Sequence, residues 1–274
     1  MRIIHESGPV RVRECRHGAM AYLPRDEHVG RSLDLLGEWA EAELRLLGLF
    51  VKPGSTVVDV GANVGTHALF FAKRVGERGA VIAFEPQRLL HQVLCANMAL
   101  NGITWARVIR AAVGARPGSV VVPEIDYAAG GNFGGLSLGA WRDGEAVPVV
   151  TVDDLDLKSA ALMKIDVEGM EGAVLEGAAA TVSRLHPVIF VENNRPDGAP
   201  EVVRFLADRG YALFWHFSPF YSPDNFAGAA ENPFGALVDA NMIAVPGALA
   251  PAMGALRPVL GPDDTAAAAL SRTR

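Results

Sequence analysis

Along the first fifty residues the apolar positions come in short alternating stretches, Val10 with Val12 and Met20 with Tyr22, and then change period. Across residues 32–50, SLDLLGEWAEAELRLLGLF, the residues Leu35, Leu36, Trp39, Leu44, Leu46 and Leu47 recur at helical spacing. That spacing predicts an amphipathic helix laid on the domain that follows, stopped by Lys52-Pro53-Gly54. Strand and helix patterns then alternate, with strands over 56–60, 81–85 and 106–112 and helices over 66–74 and 89–101. Short apolar runs at 162–167 and 188–192 each end near an acidic residue and flank a helical segment at 171–184. A last pair of strands falls at 211–217 and 242–245. The expected fold is α/β and Rossmann-like: a mostly parallel seven-stranded sheet, helices on both faces, and an antiparallel last strand.

Two stretches break the rhythm. Residues 117–147 are rich in glycine, contain NFGGLSL and sit where a crossover belongs, which favours a functional insertion. The chain divides into an appendage over 1–50, a main domain over 51–246 and an Ala/Pro-rich tail over 247–274, read as a short helix or a frayed end.

With 274 residues, half of them apolar, the chain buries a sizeable core. Its net charge of −6 and the lack of a dense Lys/Arg run argue against a nucleic-acid partner. No run is apolar enough to span a membrane, and charges interrupt the first eighteen residues too often for a signal peptide. Cys15 and Cys95 fit no metal or redox spacing, so ordinary thiols in a reducing, cytoplasmic setting are expected; an oligomer is compatible with all of this.

The segment TVVDVGANVGTHALFFAKRV puts Asp59, Gly61, Ala62, Asn63 and Gly65 on the turn between a buried strand and a helix. In an open α/β sheet this turn lies at the carboxyl edge, where ligands bind, and glycine lets them approach the backbone. Glu85, followed by Pro86, ends the next strand twenty residues past Gly65, placed to accept both hydroxyls of a ribose. A dinucleotide site wants G-x-G-x-x-G, whereas this turn reads D-x-G-x-N-x-G. Asp59 suits the ammonium of S-adenosylmethionine better than a diphosphate. The bland alternative is that Gly61 and Gly65 only permit close helix packing.

DVGANVGTHALFFAK, AFEP, TVDDL and LMKIDVEGMEGAVLEGA resemble, in sequence and order, the FkbM family of methyltransferases. GRSLDLLGE and YSPDNF look like sections of some members, and the likeness runs over about residues 32–246. The resemblance implies a class I methyltransferase fold, S-adenosylmethionine as cofactor, and O-methylation of a sugar, glycan or other natural product.

Asp166, Glu168, Glu192 and Asn193 lie at the ends of two strands expected to be neighbours, beside the cofactor's methyl group. Asp166 is the first choice at the reaction centre and Glu192 its partner, while Glu168 either joins them or caps the turn before Gly169. A carboxylate, a histidine or a metal-bound alkoxide each suffices to activate a hydroxyl. A divalent cation would fall to Asp166 and Glu192, though the sequence does not require one. His216 is either a general base or a packed core residue, and Phe214, Trp215, Phe217, Phe220 and Tyr221 either a stacking wall or core. Asn132 and Asn225 either bind acceptor hydroxyls or form turns. Two other readings stand beside an O-methyltransferase: a nicotinamide-dependent oxidoreductase, and a non-catalytic relic of the fold that binds a glycan or protein.

Overall fold

The computed structural model describes residues 2–193 and 199–272. Its N-terminal part is a three-stranded antiparallel sheet of β1 (Ile3–Ser7), β2 (Val10–Cys15) and β3 (Gly18–Tyr22), followed by two short helices, α1 (Val29–Leu35) and α2 (Glu41–Leu47). The single amphipathic helix expected over 32–50 is thus broken. Gly37 (φ 70°) and Ala40 (φ 54°) take left-handed backbone between the two pieces, so the apolar stripe turns a corner.

The main sheet is assembled from β4 (Thr56–Val60), β5 (Ala80–Phe84) and β6 (Ala106–Ile109), then β10 (Leu162–Ile165), β11 (Val188–Glu192), β12 (Tyr211–Pro219), β13 (Val238–Pro246) and β14 (Arg257–Pro258). Their spatial order is β6-β5-β4-β10-β11-β13-β12-β14. The five strands from β6 to β11 are parallel, and β13 runs antiparallel to both its neighbours, the arrangement of class I methyltransferases. Helices α3 (Thr66–Val75), α4 (Arg88–Leu100), α5 (Glu171–Glu176), α6 (Ala179–Leu185) and α7 (Ala199–Ala207) supply the connections. Central strands read as apolar runs because both faces are covered: all four residues of β10 are buried, as are the last four of β4.

The sheet has eight strands rather than seven. The eighth, β14, comes from the tail, which docks instead of fraying. Trp215 Nε1–H donates to Asp264 Oδ2 at 3.0 Å, and helix α8 (Ala266–Ser271) follows. The inserted segment is flanked by its own small sheet, β7 (Ala112–Val113), β9 (Glu145–Val150) and β8 (Gly118–Val122). The expected helix over 171–184 is interrupted at Gly177, where a Cβ would stand 2.1 Å from Gly114 O. Among the described residues no helix is long and apolar enough to cross a membrane.

Chain direction reverses its march across the sheet at β4, whose two neighbours are β5 and β10. A crevice opens at the carboxyl ends of strands beside such a switch point, and the conserved geometry of open α/β sheets puts ligands there.

Candidate active site

Two adjoining cavities, which share Gly61, Glu85 and Asp166 in their walls, occupy that crevice. The smaller is mainly apolar, walled by Val60, Phe84, Ala112, Val113, Leu136 and Met170, with Glu85, Pro86, Gln87 and Asp166 at its polar side. Its companion, about 250 Å³, runs over the turn after β4 and continues under the N-terminal helices.

The turn is built as its sequence demands. Gly61 takes φ 78°, and a Cβ there would stand 1.8 Å from Asp166 O, so β4 and the β10 loop touch through the missing side chain. Asn63 is also left-handed (φ 52°), and its Oδ1 accepts the N–H of Val64 at 2.7 Å. Glu85 accepts the N–H groups of Asn63 and Gln87, each at 2.9 Å, and lines both cavities. Burial pushes its carboxyl up to about 7, against the pull of those two N–H groups. Ala62 and Pro86 line the walls as well.

Gly65 serves packing instead: a Cβ there would lie 2.2 Å from Leu94 Cδ1, and the residue borders neither cavity. Asp59 is fully buried and also off the cavity surface, with its Oδ1 3.7 Å from the Lys164 ammonium. Its expected contact with a ligand's ammonium is therefore not direct in this geometry.

Asp166, Glu168 and Glu192 converge as expected, with carboxylate oxygens within 4.8 Å of one another, and all three line the larger cavity. Lys164 Nζ donates to Asp166 Oδ2 at 2.9 Å and holds that carboxylate in place. Glu168 adopts φ 57°, a costly backbone for a residue with a side chain, and its carbonyl accepts Ser137 Oγ–H at 2.8 Å. Burial, then the charges of Asp166 and Glu168, push Glu192 up to about 10, so it carries a proton at neutral pH.

Several residues of the site were not singled out by the sequence reading. From α2, Glu43 reaches His67 of α3, Oε2 to Nε2 at 3.0 Å, and accepts Asn241 Nδ2–H of β13 at 3.0 Å. Burial raises Glu43 to about 8 and, with Lys164 nearby, lowers His67 to about 4. Asp239, two residues before Asn241, lines the same cavity and is pushed by burial, then by Glu43, to about 7. Trp39 and His28 form the outer wall with Phe220, edge to face at 4.9 and 5.3 Å.

Three expected acceptor or catalytic residues lie elsewhere. Asn193 is buried with Nδ2 turned to Met242 Sδ at 3.2 Å, because β13 rather than the cavity covers its side of the strand end. Asn225 ties its own loop, bonding Ser222 O, Ala229 O and Ala229 N. His216 sits within β12, not at its end, packed on Phe190 at 6.0 Å, and borders neither cavity. Asn132 does line the larger cavity, while its Oδ1 accepts the N–H of Gly135 at 3.0 Å. Of the five aromatics, Phe220 alone reaches the cavity; Trp215 is core.

An apolar slot beside a buried ribose-height acid, continuing past a glycine turn into a carboxylate-lined chamber, suits an adenosyl sulfonium cofactor. Residues 59–213 match the methyltransferase FkbM domain, more than half of the chain. The chain belongs to the FkbM methyltransferase family. It is 27% identical over 209 residues to methyltransferase sdnD of Sordaria araneosa, covering 62% of this chain and 78% of that protein. Among solved structures, the FkbM methyltransferase of Methylobacillus flagellatus is 17% identical with a TM-score of 0.46. That match covers 70% of this chain and 44% of the other, so the chain spans under half of that relative's length. A SAM-dependent O-methyltransferase from Thermotoga maritima is 12% identical, with a TM-score of 0.44, over 88% of this chain and 78% of that one. As an FkbM methyltransferase the chain depends on S-adenosylmethionine, and the nicotinamide reading falls away.

Proposed function

We propose that this FkbM methyltransferase methylates a hydroxyl oxygen on a sugar, glycan or related polyhydroxylated natural product, in the cytoplasm. The observation that carries the reading is the chamber beside the cofactor turn, where Asp166, Glu168, Glu192 and Asp239 face an edge-to-face pair of Trp39 and Phe220. Carboxylates accept hydrogen bonds from sugar hydroxyls, and aromatic faces cover the C–H side of a sugar ring.

S-adenosylmethionine supplies the electrophilic methyl group when bound. Glu85 would hold its ribose, the apolar slot its adenine, and the turn over Gly61–Asn63 its amino-acid end. Asp166, fixed by Lys164, orients the acceptor hydroxyl, and Glu192 in its protonated form donates to a neighbouring oxygen. Asp239 receives the hydroxyl proton as the oxygen–carbon bond forms and the carbon–sulfur bond breaks. Alignment of acceptor and methyl supplies most of the acceleration. A divalent cation on Asp166, Glu168 and Glu192 is the second reading, favoured by the 4.8 Å spacing of their oxygens.

Calorimetry with S-adenosylhomocysteine, then a screen of hydroxylated acceptors with labelled cofactor in Mg²⁺ and in EDTA, tests all of this. Transfer to oxygen supports the proposal. Transfer only to nitrogen or carbon overturns it, loss in EDTA selects the cation, and cofactor binding with no transfer to any acceptor favours the non-catalytic relic.

A further inference from the structure

Two parts of the chain outside the main sheet cover the cavity. The inserted segment contributes Gly134, Leu136 and Leu138 over the apolar slot and Asn132, Gly134 and Gly135 to the outer chamber, and the N-terminal part adds His28, Val29 and Trp39 to that chamber. They meet at Asp26. This carboxylate is 5% exposed, and each of its oxygens serves one side. Oδ1 accepts the N–H groups of His28 (3.1 Å) and Gly30 (2.9 Å) at the start of α1, and Oδ2 accepts the N–H of Phe133 (3.1 Å) in the inserted segment. Two backbone bonds run alongside, Glu27 N–H to Gly131 O at 3.0 Å and Gly131 N–H to Arg25 O at 3.2 Å.

Phe133 is gripped at its other end too. Its carbonyl accepts Gln87 Nε2–H at 2.7 Å, and Gln87 N–H in turn donates to Glu85. Tyr127 donates its hydroxyl to Gln87 Oε1 at 3.1 Å and packs its ring against Phe133 at 4.9 Å. A continuous hydrogen-bonded path therefore leads from the ribose-height acid through Gln87, Phe133 and Asp26 to the outer wall. Buried groups on it have no water to substitute for a lost partner, so a displacement at one end is felt at the other.

We propose that Asp26 is a positioning residue through which cofactor binding tightens the acceptor wall at His28 and α1; the proposal rests on the assignment of the two halves to cofactor and acceptor. The coupling is reciprocal by linkage, so an acceptor seated against Trp39 and His28 strengthens cofactor binding by the same factor.

Asp26→Asn separates the two sides. The amide oxygen can keep both α1 N–H groups, while its NH₂ opposes the N–H of Phe133, donor against donor. The test is hydrogen exchange with and without S-adenosylhomocysteine, beside calorimetry, on the wild type, Asp26→Asn and Gln87→Leu. The last variant cuts the path at the opposite end and carries the test if the first does not fold. In the wild type the ligand is expected to slow exchange about tenfold or more over residues 28–35 as well as 131–138. In either variant the ligand-induced change over 28–35 is lost at a ligand concentration that calorimetry shows to saturate that variant. A merely structural role would lower protection equally with and without ligand. Ligand binding without protection over 28–35 in the wild type, or protection that persists in both variants, overturns the proposal. Failure of the wild type to bind at all overturns the cofactor assignment itself and the coupling with it, and calorimetry distinguishes that outcome.

Discussion

The half of the cavity we propose for the cofactor and the half we propose for the acceptor are built in different ways. The first takes its turn and its ribose-height acid from residues 59–87, one strand–turn–helix–strand unit in which Asn63 N–H donates to the Glu85 carboxylate and Gly61 N–H to Phe84 O, and borrows its apolar wall from Ala112, Val113, Leu136 and Met170. The second draws Trp39 and Glu43 from the N-terminal helices, His67 from α3, Lys164 and Asp166 from β10 and its loop, Glu192 from β11, and Phe220 and Asp239 from around the last strand pair. A local unit presents the same backbone groups whatever surrounds it. An assembled chamber changes whenever one contributing segment does.

The sharpest way to break that division is Gly61→Ala, since Gly61 belongs to both halves. Its Cβ would have to displace the carbonyl of Asp166 from 1.8 Å, at a φ that L-residues avoid. A loss of about 3 kcal/mol or more is expected, with cofactor binding and transfer failing together. Denaturant midpoints and homocysteine-product calorimetry measure both, and a stable variant that still binds would show the halves to be independent there.

Within the acceptor half, Asp239→Asn is expected to lower kcat about a hundredfold and leave S-adenosylhomocysteine affinity unchanged. The wild-type rate should rise with pH through about 7, where Asp239 ionises, and the variant should lose that limb. An unaltered pH profile would remove Asp239 from the proton path.

Within the cofactor half, Glu85→Gln acts on affinity. Hydrogen bonds to an ionised carboxylate contribute about 1.5–3 kcal/mol, so binding should weaken roughly tenfold to a hundredfold. Burial raises Glu85 to about 7 in the empty protein, so its neutral form favours the fold at low pH and that contribution is lost as pH climbs from about 4.5 through about 7. Ribose hydroxyls favour the ionised form and draw the value down again. Affinity for S-adenosylhomocysteine should therefore increase by up to about tenfold from pH 6 to 8, and stay flat in the variant.

The same contrast sets what the sequence discloses. Gly61, Asn63 and Glu85 are legible at the cavity because a left-handed turn and a second strand end fix them within thirty residues, whereas Asp59, expected beside them, is buried against Lys164. Asp166 and Glu192 are legible because neighbouring strand ends bring them together. Lys164 is not, since inside the apolar run LMKI it looks like one more strand position, and its partner Asp59 arrives only when β10 lies against β4. Glu43 and His67 are 24 residues apart on two helices, and no spacing rule pairs them. The same holds in reverse for Asn193, whose neighbour Met242 arrives from β13, the strand inserted antiparallel between β11 and β12.

His216 shows how little is at stake where a polar residue is only packed. Beside Phe190 in β12, its Nε2 has no hydrogen-bond partner among the described residues, and burial lowers its pKa to about 4. A histidine depressed in this way stays neutral in the folded chain. It contributes stability that is present above its unfolded value of 6.5 and is lost as pH falls from there towards about 4. His216→Leu removes a buried group that lacks a partner and replaces it with an apolar one of similar size. The change in stability at pH 7 should stay within about 1 kcal/mol, because lost van der Waals contact and relieved desolvation nearly cancel. Chemical denaturation at pH 7 and pH 5 should show the variant losing less stability than the wild type across that interval, with cofactor affinity and kcat untouched. A fall in kcat without a change in affinity would instead bring His216 into the acceptor chamber and move the boundary between the two halves out to β12.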